Sequence, residues 1–162
     1  SEAMKFDLVI ASPLERAKET AQIIASALNV KVELDPIWLE RHIGEMEGLT
    51  AEEVRQKPQP PYVTPYNSIG GNGEGDWELY LRAGKALHEL LHRPPGSYLV
   101  VSHGGMLNQL MHAIVGIAHQ PDPSGVRFHF ENTSFARVIY FPHRHRWAID
   151  AVNDRAHLKS LK

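Results

Sequence analysis

The 162-residue chain sets 17 Lys and Arg against 19 Asp and Glu, a formal charge of −2, with 43% hydrophobic residues. That balance excludes a disordered chain, and equally one built mainly to coat nucleic acid or an anionic membrane. The absence of cysteine excludes disulfides, zinc-thiolate sites and thiol nucleophiles, and by itself leaves the compartment open.

The length fits a single domain over residues 1–162. No apolar run approaches the ~20 residues of a membrane helix, and no leader pattern opens the chain, so a cytoplasmic protein without a membrane partner is expected. Phe6 to Ala11 is a short apolar run that predicts a buried strand. It leads directly into Ser12-Pro13-Leu14-Glu15, the pattern of a capping box with Ser12 as N-cap. Leu14, Ala17, Ala21, Ile24 and Leu28 then share one helical stripe, with Asn29 as a stop, so the segment reads as a βα unit. Val32-Glu33-Leu34 predicts an edge strand, and Thr50-Ala51-Glu52-Glu53 a second capping box. From Pro58 to Gly75 the chain is broken by prolines and glycines, as expected of a lid or selectivity region, in which Tyr62 and Tyr66 either face a substrate or pin the loop.

Asp76 is expected to cap a helix running to about Arg93, with Trp77, Tyr80, Leu81, Leu87 and Leu91 on its buried side. Tyr98 to Ser102 is the clearest strand, followed by His103-Gly104-Gly105 and a helical stripe of Met106, Leu107, Leu110, Met111 and Ile114. Strands are expected at Arg127–Phe130, Phe135–Phe141 and Trp147–Val152, the last two joined as a hairpin through Pro142 to Arg146. The fold class is therefore α/β, three layers, with a mostly parallel sheet and an antiparallel edge.

Ser12 and His103 each fall at the carboxyl end of a strand and the start of a helix, the end where open α/β sheets bind ligands. Helix starts present free N–H groups and a positive dipole end. Arg16 adds a cation whose fork matches phosphate, and Gly104-Gly105 lets backbone approach whatever His103 faces. Taken singly, Arg16 reads as a solvated charge and His103 equally as a turn residue. Together they favour an anion site.

These residues also carry a resemblance. Phe6 to Ala21, with its Ser12-Pro13-Leu14-Glu15-Arg16-Ala17, resembles the second block of the histidine phosphatase (phosphoglycerate mutase-like) superfamily. Leu39-Glu40-Arg41-His42 through Gly48 resembles its acidic block, Val101 to Gly105 its second-histidine block, and Asn153 to Leu158 its usual ending. The resemblance implies three catalytic residues: Arg16 clamping phosphate, His103 touching the transferred phosphoryl, and Glu40 donating a proton to the leaving oxygen. It further implies Ser12, Arg41 and Gly104 as substrate-binding, a small phosphorylated metabolite as partner, no cofactor, no metal and no nucleic acid. The chemistry is coherent, because phosphoryl transfer needs fixed charge at the equatorial oxygens and an acid for the departing alkoxide.

The family's opening Arg-His-Gly, whose histidine is the nucleophile, does not occur here: Ile43 follows Arg41-His42, and Ser102 precedes His103-Gly104. The resemblance therefore implies a first strand and nucleophile lying on an N-terminal segment outside these residues. A parallel sheet without its middle strand would leave backbone groups unpaired. Hydrolysis of a phosphate monoester is the expected activity, with phosphoglycerate mutation and phospholigand binding without turnover as alternatives. The strand near Phe135–Phe141 could pair across a homodimer. His143 and His145 share a strand face in the manner of metal ligands, but their turn setting favours solvated residues, as do the helical settings of His88, His92 and His112.

Overall fold

A computed structural model describes residues 5–58, 64–117 and 125–161. Strand β1 (Leu8–Ala11) lies between β2 (Val32–Leu34) and β3 (Tyr98–Val101) in a parallel sheet of order β2-β1-β3. Because strand side chains alternate, Val9 and Ala11 face one side and Ile10 the other. The first side is closed by helix α1 (Glu15–Leu28) through Ala21 and Ala25. The second is closed by α3 (Asp76–Leu91) and α4 (Gly104–Val115), with Leu79, Ala83, Ala86, Met106 and Leu110 packed on Ile10 and Trp38. Val9, Ile10 and Ala11 are fully buried, so β1 is the spine of the described parallel sheet, and the three-layer α/β arrangement is as expected. A short helix α2 (Ala51–Gln56) opens with the predicted Thr50–Glu53 capping box. An antiparallel pair, β4 (Phe135–Phe141) and β5 (Arg146–Asp154), forms the predicted hairpin, turning at Pro142–Arg144 with His145 in the left-handed region. Among the described residues the two ladders are not hydrogen-bonded to each other.

Four expectations need correction. Ser12 does not cap α1; the helix starts at Glu15, and the Ser12 hydroxyl is committed elsewhere, as described below. Asp76 is the first residue of α3 and pairs with Arg41, while Gly75 occupies the cap. The buried side of α3 is its small residues Ala83 and Ala86 with Leu79, whereas Trp77, Leu81 and Leu91 are exposed. Small side chains let α3 and α4 approach closely, a signal that a stripe of large residues conceals. Residues 127–130 form no strand. There the Phe128 amide donates to Asn108 Oδ1 at 2.7 Å and the Val126 carbonyl bonds His112 Nε2 at 2.8 Å. The segment thus satisfies part of its backbone on polar side chains of α4 in place of a ladder.

Candidate active site

The β1-to-α1 and β3-to-α4 connections bring two polar side chains into the interior. Ser12 is fully buried and His103 is 7% exposed. The Ser12 amide bonds the Val101 carbonyl at 3.0 Å, extending the β1–β3 ladder by one rung. Its hydroxyl accepts the Leu14 amide at 3.3 Å and meets His103 Nε2 at 2.8 Å. His103 itself occupies the N-cap position of α4 with an extended backbone and makes no side-chain capping bond, its ring meeting Ser12 instead. Burial pushes its pKa below the ordinary value; the Arg16 charge and, less strongly, Arg82 push the same way, and Glu40 opposes them. The uncharged form of the ring is thereby favoured.

Arg16 stands in the first turn of α1 with an exposed side chain that has no hydrogen-bond or ion-pair partner among the described residues, near enough for its charge to act on His103. Glu40 comes from the loop after the 3-10 turn Pro36–Trp38. That loop is pinned to the sheet by the Ser102 hydroxyl, which donates to the Trp38 carbonyl at 2.8 Å. The Glu40 carboxylate sits on the start of α4: Oε2 accepts the Gly105 amide and Oε1 the Met106 amide, each at 3.2 Å, and Oε1 also accepts the Arg41 amide at 2.9 Å. A free helix start suits that negative charge. A Cβ on Gly105 would lie 2.6 Å from Oε1, so this position requires glycine for close approach.

Ser12, Arg16, Glu40 and His103 thus gather at one end of the sheet. Gly104 is exposed beside them, with open space where a side chain would be. The Arg41 guanidinium instead pairs with Asp76 at the start of α3. Of the Gly104-Gly105 pair expected to allow close approach, only Gly105 is approached, by Glu40. The anchoring role of Ser102 has no sequence signal.

The Pro58–Gly75 stretch is structured where described. Residues 69–74 interlock with 42–46: Glu74 donates its amide to the His42 carbonyl at 2.7 Å, Glu45 donates to Gly70 at 3.0 Å, and a side chain on Gly73 would strike three backbone atoms within 2.8 Å. Tyr66 is 64% exposed and meets Trp77 edge-on; Tyr62 lies outside the described residues. The neighbouring cleft is lined by Glu40, His42, Ser68, Asn72 and Arg82. His145 bonds the Tyr140 hydroxyl, and no cluster of three metal-ligating side chains occurs among the described residues.

A parallel α/β core with a buried histidine, an arginine side chain without a partner among the described residues and a helix-seated carboxylate at its carboxyl end suits a class of protein that handles an anionic ligand. The chain belongs to the histidine phosphatase superfamily (branch 1), whose family model matches residues 1–155. It is 35% identical over 159 residues to the protein named probable phosphoglycerate mutase GpmB of Yersinia enterocolitica, an alignment covering 93% of this chain and 72% of that protein. Among solved structures it resembles Bacillus stearothermophilus YhfR, with a TM-score of 0.79, 25% identity, and coverage of 97% of this chain and 78% of that one. The mycobacterial glucosyl-3-phosphoglycerate phosphatase shares the fold, with a TM-score of 0.73, 22% identity, and coverage of 90% and 76%. Superfamily members and structural neighbours are phosphatases or mutases, which supports an enzyme. No described helix is long and apolar enough to cross a membrane.

Proposed function

We propose that the chain carries the phosphate-binding and proton-donating half of a metal-independent phosphomonoesterase acting through a phosphohistidine. The observation that supports this most is the Glu40 carboxylate seated on the helix start directly after His103. In this reading Arg16 and His103 bind the equatorial oxygens of the phosphoryl group, where transition-state charge collects. The substrate P–O bond breaks as the phosphoryl passes to a histidine nitrogen, which is assigned to a nucleophile outside these residues. The departing oxygen takes the proton of the Glu40 carboxyl. Water then attacks the phosphohistidine, gives its proton back to Glu40 and leaves inorganic phosphate. Ser12, through His103 Nε2, holds the ring in place.

A second reading is transfer of phosphate between positions of a phosphoglycerate, favoured by the likeness to the probable phosphoglycerate mutase of Yersinia enterocolitica. Steady-state assay of the full-length gene product in chelator distinguishes the two. Release of phosphate from p-nitrophenyl phosphate supports hydrolysis. Interconversion of phosphoglycerates without phosphate release supports the mutase, and phosphate binding without turnover of either supports a binding module. A strict requirement for added metal contradicts the mechanism.

A further inference from the structure

Arg82, on α3, is the residue that connects the site to the glycine-rich loop. Its side chain is 22% exposed and that of its partner Glu74 17%. All five guanidinium N–H groups have a place to go. Nε donates to Glu74 Oε1 at 2.7 Å and one terminal nitrogen to Oε2 at 2.6 Å, a bidentate pair. The other terminal nitrogen donates to the carbonyls of Ile37 and Leu39, each at 2.8 Å, and the first adds a longer contact of 3.4 Å to the Glu40 carbonyl. One planar group thus grips the backbone on both sides of Glu40. Glu74 closes the clasp from the far side through its amide bond to the His42 carbonyl.

The sites of these bonds matter more than their number. Glu40 reaches the α4 start through a flexible side chain, and its aim depends on where its Cα is held. The Leu39, Glu40 and His42 carbonyls cannot bond one another, so something must supply donors to a loop that lacks a ladder. Lysine has three donors and no plane, and could not span Glu74 and these carbonyls together.

We propose that Arg82, held by Glu74, is a positioning residue for proton donation: it fixes the loop so that the Glu40 carboxyl meets the departing oxygen. This rests on the reading of Glu40 as the acid. The 69–74 loop, anchored through the same pair, then bears on acid placement.

The test compares kcat/KM for p-nitrophenyl phosphate, whose nitrophenolate departs without a proton, with that for ethyl phosphate, whose alkoxide needs one. Their ratio does not depend on the folded fraction, so a destabilised variant still reports. E40Q in the full-length protein lowers ethyl phosphate turnover on the order of 10²–10³-fold and p-nitrophenyl phosphate turnover less than about tenfold. R82K and E74Q shift the ratio in the same direction by about tenfold, and R82K in the E40Q background leaves it unchanged. Equal losses on both substrates in R82K and E74Q, an unchanged ratio, or a further shift in the double variant overturns the positioning role while leaving Glu40 as the acid. An E40Q ratio equal to wild type overturns the reading of Glu40 itself.

Discussion

Gly105→Ala isolates the seat of Glu40 on helix α4. The added Cβ falls 2.6 Å from Glu40 Oε1 and 3.3 Å from its carboxyl carbon, against ordinary contacts that begin at 3.4 Å, so the oxygen must retreat by about 0.8 Å. The Oε1 bond to the Met106 amide, now 3.2 Å, then stretches to about 4 Å and is lost as a hydrogen bond, and the Oε2 bond to the Gly105 amide, also 3.2 Å, weakens as the carboxylate turns. Each is charge-assisted, worth about 1.5–3 kcal/mol at most, and water can replace part of it at this half-buried position. Alanine also recovers up to ~1 kcal/mol of helix propensity over glycine. Because the clash is with the end of a flexible side chain and not with backbone, thermal unfolding should move little, by less than about 4 °C. Turnover should not be spared: a displacement approaching 1 Å costs up to about 10²-fold. The assay is kcat/KM for ethyl phosphate alongside a thermal melt. Wild-type turnover at an unchanged melting temperature would refute the claim that this carboxylate must sit where it does.

Arg16→Gln or His103→Gln should lower kcat by about 10²–10³-fold with little change in folding, measured by steady-state kinetics and a thermal melt. The His103 pKa is lowered by burial and by Arg16, so the unfolded chain binds a proton at higher pH than the folded one. The resulting penalty is absent above the ordinary histidine value, grows as pH falls from there to the lowered folded value, and is constant below it; urea titrations against pH read this directly. In the same system, NMR titration of His103 should move up in Arg16→Gln and down in Glu40→Gln, since the first charge depresses its pKa and the second raises it. Gly73→Ala, which places a Cβ 2.3 Å from the Ile69 carbonyl and 2.7 Å from that of His42, should destabilise by about 1–3 kcal/mol in chemical denaturation, because backbone has to move.

The parts of the site that share local sequence with their structural element were legible. Ser12 and His103 could be placed at strand ends because apolar runs stop there and helical periodicity begins, and Arg16 followed from its offset. Thr50 showed its capping box for the same reason. What could not be read was decided by contacts between distant segments. Ser12 looks like a cap until His103, 91 residues away, takes its hydroxyl. The apolar stripe of α3 ranked Trp77 and Leu81 as core, whereas contact with α4 selected Ala83 and Ala86. Phe128 has strand-like neighbours, but Asn108 offers its amide a better partner. The grip of Arg82 on the Glu40 loop has no local signature, since the carbonyls it holds lie more than 40 residues earlier in the chain.

In the proposed function Arg16 and His103 face one tetrahedral dianion near the start of α4. A crystal structure of the full-length protein grown with vanadate would decide this. Vanadate oxygens should lie within hydrogen-bond distance of both the Arg16 guanidinium and the His103 imidazole, with the Glu40 carboxyl on the side of the departing oxygen. Vanadate bound elsewhere, with Arg16 and His103 not touching it, would overturn the phosphate-binding role of both residues.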